Sequence, residues 1–206
     1  MEILKQFGVV PVSSAVLKSV LTDYKSVNTK IHALEKEGEL IRLKKGLYVV
    51  SPKVTRQELL PELIANHLYG PSYVSMESAL RYYGLIPERV YAVRSMTTKH
   101  NREFTNEVGL FTYREVTDEY FAIGVTQSKT DVPFLVASPE KALCDMIIYT
   151  AGLTLRSTKA MEEYLSHDLR FELDALRRFD VSIIEACVAV GKKKRELQIL
   201  IKQIGG

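Results

Sequence analysis

Basic and hydrogen-bonding side chains recur along residues 25–36, and they carry the strongest chemical signal in the sequence. On a helix at about 100° per residue, Val27, Ile31 and Leu34 share one apolar face. Short polar side chains on the opposite face can reach base edges in a DNA major groove, and lysines can reach phosphate. The predicted DNA-binding residues of this helix are Lys25, Ser26, Asn28, Thr29, Lys30, His32 and Lys36.

A second basic group lies between two short segments with β-strand character. Leu40–Leu43 and Leu47–Val50 are predicted strands, and Lys44, Lys45 and Gly46 join them as a hairpin turn. We predict that Lys44 and Lys45 contact the DNA backbone at the tip of this hairpin.

The elements that would position these side chains follow a recognisable order. Ser14–Leu21 is a predicted short helix, a turn follows at Thr22–Tyr24, and the basic helix runs over Ser26–Glu37 until Gly38 ends it. Helix, turn, helix and hairpin are the order of a winged helix-turn-helix. The alternative is a small winged helix that makes only protein contacts, because a charged helix face is often simply solvated.

Charge is unevenly distributed along the 206 residues. Residues 1–53 contain nine Lys/Arg and five Asp/Glu, a balance of +4, whereas the rest contains nineteen and twenty, a balance of −1. A positive excess in the predicted DNA-binding part is what attraction to phosphate requires. With 46% hydrophobic and 26% charged residues, the chain has the composition of a globular protein rather than a disordered one.

Cysteine content and hydropathy predict a cytoplasmic protein. Cys144 and Cys187 lie in apolar helical patterns, which favours buried reduced thiols over a disulfide or a metal site. No apolar run approaches the roughly 18 residues that would span a membrane, and no signal peptide is recognisable. We expect no membrane association.

Residues 54–206 have the pattern of a separate α+β domain, so we predict two domains, 1–53 and 54–206. Helices are expected at Val54–Tyr69 and Met76–Tyr83, and a helical end over the last 50 or so residues. A small antiparallel sheet is expected from strands at Arg89–Thr97, Arg102–Phe104, Val108–Arg114, Tyr120–Val125 and Val132–Ala137. Ser138, Pro139 and Glu140 are a helix-start signal, and that helix should reach about Thr150.

No pattern of catalytic or metal-binding residues emerges. The four histidines lack partners at zinc-ligand spacing, and phosphate-loop, nucleophile-elbow and zinc-protease motifs are missing from the sequence. Glu140 and Asp145, five residues apart on one helix, would not converge on a metal; a helix-dipole partner and a surface or ion-paired carboxylate are expected instead. We predict no enzyme activity, catalytic residue, metal or cofactor. The basic run Lys192–Arg195 is either a binding surface or a solvated helix start.

Two longer segments resemble a known family. They are Tyr73-Val74-Ser75-Met76-Glu77-Ser78-Ala79-Leu80-Arg81-Tyr82-Tyr83-Gly84-Leu85-Ile86-Pro87-Glu88 and Ala137-Ser138-Pro139-Glu140-Lys141-Ala142-Leu143-Cys144-Asp145. With the upstream Lys45-Gly46-Leu47-Tyr48, they resemble the AbiEi antitoxins of abortive-infection, type IV toxin–antitoxin systems. The resemblance covers roughly residues 10 to 150.

The resemblance implies a function that composition does not. AbiEi-like proteins counteract a nucleotidyltransferase-type toxin and repress their own operon through an N-terminal winged helix. It implies a recognition helix at Ser26–Glu37, a wing at Arg42–Val50, an antitoxin domain over 54–206 and double-stranded DNA of the chain's own promoter as partner. Whether the toxin is bound directly or countered indirectly stays open, and a monomer or weak dimer is expected. The alternative is a winged-helix transcriptional regulator with a ligand- or partner-sensing C-terminal domain and no toxin partner.

Overall fold

The computed structural model describes residues 2–87 and 91–205. The α-helices are α1 (Glu2–Lys5), α2 (Ser14–Val20), α3 (Val27–Lys36), α4 (Pro52–Thr55), α5 (Pro61–Leu68), α6 (Met76–Tyr82), α7 (Asp118–Phe121), α8 (Pro139–Tyr149), α9 (Thr158–Glu163), α10 (Val181–Val190) and α11 (Lys194–Gly205). The strands are β1 (Val12–Ser13), β2 (Leu40–Lys44), β3 (Leu47–Val50), β4 (Ser72–Val74), β5 (Ala92–Thr97), β6 (Arg102–Asn106), β7 (Gly109–Glu115), β8 (Val125–Gln127) and β9 (Leu135–Ala137). The fold is mixed α+β.

The N-terminal elements pack around a small core of their own. Strands β1, β3 and β2 form an antiparallel sheet in that order, and α2 and α3 cover it. Ile31 and Leu34 of α3 are buried in this core and Val27 packs against it, which confirms the predicted apolar face. The Ser13 side chain caps α2 by accepting a hydrogen bond from the Val16 N–H.

The C-terminal elements surround a six-stranded sheet of order β6-β7-β5-β4-β9-β8. The predicted all-antiparallel pairing is wrong, because β5 pairs parallel with β7 and β4 pairs parallel with β9. Strand β6 lies at the edge of the sheet. Strand β7, which follows it in the chain, pairs with it antiparallel and lies between β6 and β5. The first two residues of the strand predicted at Arg89–Thr97 lie outside the described residues, and the remainder contains β5.

Two local predictions fail where a capping or breaking residue outweighs propensity. A strand was expected at Tyr120–Val125, but its first two residues belong to α7. The Thr117 hydroxyl accepts a hydrogen bond from the Tyr120 N–H and so caps the start of this helix. The single helix expected over Val54–Tyr69 is divided into α4 and α5, because Pro61 cannot donate the backbone hydrogen bond that a continuous helix requires.

An ion pair with no solvent exposure lies at the centre of the larger core. Lys141 Nζ is 3.3 Å from Asp145 Oδ1, one turn along α8, and both side chains are 0% exposed. The Tyr120 hydroxyl donates to Oδ1 at 2.7 Å, and the hydroxyls of Ser75 and Tyr73 donate to Oδ2 at 2.6 and 3.1 Å. Lys141 Nζ also donates to the Tyr120 carbonyl. We call these five residues the Asp145 network: Tyr73, Ser75, Tyr120, Lys141 and Asp145. Both described charges in this part of the core therefore have partners.

The network decides between two predicted roles and explains an unusual helix start. Of the surface and ion-paired roles predicted for Asp145, the structure confirms the ion-paired one, and the carboxylate is buried. Ser75 occupies the N-cap position of α6, but its hydroxyl is committed to Asp145 and does not cap the helix. Burial first, and then the charge of Asp145, raises the pKa of Tyr73 and Tyr120 well above the usual tyrosine range.

The two cores are joined through the N-terminal hairpin. Val9, Leu43 and Val49 precede residue 54, yet their buried side chains belong to the larger core of the C-terminal elements. A cut between residues 53 and 54 would therefore remove three apolar side chains from that core and expose what they cover.

We predict that Asp145→Ala lowers the free energy of unfolding by about 3–5 kcal/mol, because it leaves the Lys141 ammonium buried without a partner. The double variant Lys141→Met with Asp145→Leu should recover a large part of that loss, since no buried charge remains. Urea denaturation measures both, and Asp174→Ala is the control because that carboxylate is 86% exposed in its pair with Arg177. An Asp145→Ala midpoint equal to that of the control would contradict the role given to the network.

Candidate nucleic-acid interface

The predicted helix residues share the solvent-facing side of α3 and the turn before it. The cause is local, since Ile31 and Leu34 face the core and leave the polar residues outside. The exposed members are Lys25, Ser26, Asn28, Thr29, His32 and Lys36. Lys30 is half-buried, with Nζ 5.2 Å from the centre of the Tyr24 ring. The structure thus gathers all seven predicted helix residues in one segment, and six of them are exposed.

Two contacts limit how these side chains are free to act. The Ser26 and Thr29 hydroxyl oxygens are 2.8 Å apart, so the pair is preorganised at the N-terminal end of α3. Near the other end, Glu35 places a carboxylate on the same segment, 3.1 Å from a guanidinium nitrogen of Arg42 and 4.0 Å from His32 Nδ1. The N-terminal end of α3 is therefore the part better suited to approach an anion.

The hairpin turn presents one of its two predicted lysines to solvent. Lys45 is exposed beside Gly46, whose φ of +79° makes the tight turn possible. Lys44 is half-buried, and its ammonium donates a 2.6 Å hydrogen bond to the Leu68 carbonyl. The expected position of Lys44 at an exposed tip is corrected, because a bulge between Arg42 and Lys44 accompanies its turn toward the C-terminal elements.

Sequence patterns missed a basic cluster that forms around Lys44. Lys99 donates to the Gly70 carbonyl at 2.5 Å, and Arg102 lies over the rings of Tyr69 and Phe104 at 5.7 and 5.1 Å. Burial, then the charges of Arg102 and Lys99, lowers the pKa of Lys44. These cations are 55 to 58 positions apart from Lys44 in sequence, so no local spacing could reveal the cluster.

Arg42 is a further cation that the prediction of site residues did not include. It lies on β2, is half-exposed, and its guanidinium lies 5.8 Å from the centre of the Tyr48 ring while it pairs with Glu35. It thereby connects the basic helix to the hairpin. The signal that could have found it is position, since Arg42 lies two residues before the predicted turn at Lys44–Gly46.

Contacts from the C-terminal elements hold the hairpin in place. The Asn106 side-chain amide donates to the Leu43 carbonyl at 3.1 Å, while its Oδ1 accepts from the Val108 N–H. The Lys44 bond to Leu68 adds a second attachment, and Leu43 itself is buried in the larger core. The position of Lys45 therefore depends on residues far beyond 53.

The basic run Lys192–Arg195 has a structural role in part. The Lys193 ammonium donates to the carbonyls of Ile147, Thr150 and Leu153, and so satisfies acceptors at the C-terminal end of α8 and in the segment that follows it. Lys193 is thus neither a free binding residue nor simply solvated. Sequence alone could not show this, because the acceptors lie at least 40 positions away.

Within 2–87 and 91–205, His, Cys, Asp and Glu side chains do not form a group of three that could hold a metal ion. Cys144 and Cys187 are both buried and free of disulfide bonding, as predicted. None of the helices described is long and apolar enough to cross a membrane.

Comparison with known proteins gives a likeness of fold. No family model matches the chain, and no curated protein matches it. The crystal structure of the Rv2827c protein from Mycobacterium tuberculosis is similar, with a TM-score of 0.52 and 14% sequence identity, over 98% of this chain and 79% of that one. At this identity the likeness extends to the fold and to nothing more specific.

We predict that Asn106→Asp loosens the hairpin, because a carboxylate oxygen would then face the Leu43 carbonyl while the bond from Val108 survives. An unsatisfied buried acceptor costs about 1–3 kcal/mol, so amide exchange over Leu43–Tyr48 should accelerate roughly tenfold or more. Asn101→Asp is the matched control, since its Oδ1 accepts from the Glu115 N–H and that bond is retained. Equal exchange rates in the two variants would show that Asn106 does not hold the hairpin.

Proposed function

We propose that residues 1–53 form a winged helix-turn-helix that binds double-stranded DNA, with α3 as recognition helix and the β2–β3 hairpin as wing. The observation that carries this is the exposed polar face of α3 on the same small sheet-and-helix unit as exposed Lys45. The element order α2, α3, β2, β3 and the balance of +4 in residues 1–53 support it.

Different side chains are suited to different parts of a duplex. Lys25, Lys36 and Lys45 are exposed cations that suit phosphate, which fixes register without reading sequence. Thr29 and Asn28 are short and exposed near the start of α3, where they suit base edges. The recognition helix has no arginine, so base readout would rest on these short side chains rather than on guanidinium contacts to guanine. Lys44 is left out of the proposed contact surface because its ammonium is bound to Leu68.

We further propose that the protein is an AbiEi-like antitoxin and autorepressor, in which residues 54–206 counteract a nucleotidyltransferase-type toxin in the cytoplasm. The support is the resemblance of the two segments given above, which converge in the Asp145 network. Tyr73 and Ser75 come from the first segment, and Lys141 and Asp145 from the second. That convergence gives a structural explanation for the presence of these residues in both segments. The antitoxin role rests on the resemblance itself.

We predict that binding to duplex DNA weakens steeply as the salt concentration rises. We also predict that Lys45 contributes to affinity through phosphate, whereas Thr29 contributes to sequence preference through base edges. Neutralising about four phosphates gives a slope of log K against log salt near −3.6, and Lys45→Ala should reduce it by about 0.9 on any sequence. Thr29→Ala should instead change the ratio of affinities for promoter and random duplexes. Fluorescence anisotropy across salt concentrations measures both, with exposed Lys159→Ala of α9 as control.

Two results would contradict this assignment. A slope near zero for the unaltered chain would exclude binding through phosphate. A change of sequence preference in Lys45→Ala, with none in Thr29→Ala, would show that α3 does not enter the groove as proposed.

For the antitoxin role, we predict that repression and neutralisation separate in the full chain. The variant carrying both Thr29→Ala and Lys45→Ala should lose repression of a promoter reporter yet rescue growth when co-expressed with the toxin that the protein is proposed to counteract, because residues 54–206 are untouched. The full chain is used because three residues before 54 belong to the larger core. Loss of rescue together with repression would point to neutralisation through transcription alone.

A further inference from the structure

The outer strands of the six-stranded sheet have one open face. In the register of β5, β7 and β6, Arg94 is paired with Thr112, and Thr112 with Glu103. Arg114 lies two residues beyond Thr112 on the same strand, so it projects from the same face as Arg94. The opposite face carries Phe111 and Tyr113, which are buried in the core.

Two cavities meet at these arginines. One, of about 530 Å³, is lined among others by Arg94, Arg114 and Glu103; Arg102 borders it as well, but its guanidinium lies over the Tyr69 and Phe104 rings on the opposite face of the sheet. The other, of about 580 Å³, shares Arg94 and Arg114 and is also lined by the carboxylates Glu77 and Asp168. Both volumes lie within the roughly 300–1,000 Å³ typical of small-molecule sites, whereas a duplex needs a broad open surface.

One arginine is held in position and the other is unpaired. Glu77 Oε2 is 3.3 Å from Arg94 Nε, a contact that leaves the two terminal amino groups of the guanidinium available. The Arg114 guanidinium has no ion pair or hydrogen bond to any residue that the structure describes. Two guanidinium groups on adjacent strands, one preorganised and one uncompensated, favour an external anion.

A buried hydroxyl at the second cavity also lacks an acceptor among the described residues. Tyr164 lines that cavity and is 6% exposed; the Thr150 side chain is a neighbour of its hydroxyl, which finds no acceptor among residues 2–87 and 91–205. Burial raises the pKa of Tyr164 to about 12, so the hydroxyl is a donor at neutral pH. An unsatisfied buried donor costs free energy, which a bound acceptor would recover.

We propose that the cleft at Arg94 and Arg114 binds a small phosphate-bearing molecule. The guanidinium groups of Arg94 and Arg114 are the positive charges that this cleft offers to a phosphate group, which carries roughly −1.5 to −2 near neutral pH. Arginine forks bind phosphate oxygens in pairs, and Glu77 is a positioning residue that orients Arg94. The site is independent of the proposed DNA surface, because α3 and the hairpin contribute none of the residues that line it.

Calorimetric titration of the full chain without DNA tests this, with inorganic pyrophosphate and ATP as probes at low salt. We expect Arg94→Gln and Arg114→Gln each to weaken binding at least tenfold, and Glu77→Gln to weaken it less. Arg156→Gln is the control, since Arg156 is exposed and lies outside both cavities. Urea denaturation of every variant confirms that the fold is intact.

Three results would overturn the proposal. These are no binding of either probe to the unaltered chain, equal binding by the arginine variants and the control, and citrate binding as tight as pyrophosphate, which would indicate a carboxylate site. Loss of duplex binding in the arginine variants, with no pyrophosphate binding, would assign the arginines to DNA instead.

Discussion

A lysine and an aspartate with no solvent exposure can coexist in an apolar core only if every polar atom is matched. Here Asp145 accepts hydrogen bonds from three hydroxyls in addition to the Lys141 contact, and the donors come from β4, the start of α6 and α7. Removing a charge from water costs several kcal/mol, so this arrangement is stable only when all four elements are in place. The network thus fixes α8 against the centre of the six-stranded sheet. The outer strands β5, β7 and β6 pair outward from β4, which belongs to the network.

The outer strands in turn determine how the N-terminal hairpin is presented. Strand β6 is the edge of that sheet, and Asn106 at its end binds the Leu43 carbonyl. Leu43 and Val49 lie in the larger core, so the hairpin belongs physically to both parts of the chain. The open face of β5 and β7 remains uncovered on the other side, where Arg94 and Arg114 project. One sheet therefore supports two separate surfaces that are suited to anions, the hairpin turn at its edge and the cleft on its face.

Local signals in the sequence predicted local structure well. The stripe of Val27, Ile31 and Leu34 marked the buried face of α3, and Ser138 with Pro139 marked the start of α8, because capping and amphipathic spacing act within one helical turn. Partners distant in sequence were out of reach. The parallel pairing of β5 with β7, the inward turn of Lys44 to Leu68 and the capping of α8 by Lys193 all depend on tertiary packing that periodicity does not encode. The candidate DNA surface was therefore predicted better on α3 than on the hairpin.

The central claim, that α3 and the hairpin turn together form a DNA surface, is tested most directly by amide hydrogen exchange of the full chain with and without a duplex from its own promoter. Exchange should slow at Val27–Lys36 and around Lys45 when the duplex is added at low salt, because backbone and side chains there become covered. The core strands β4 and β9 should show no change. Protection confined to other segments, with α3 and the turn around Lys45 exchanging as fast as in the free protein, would contradict the account.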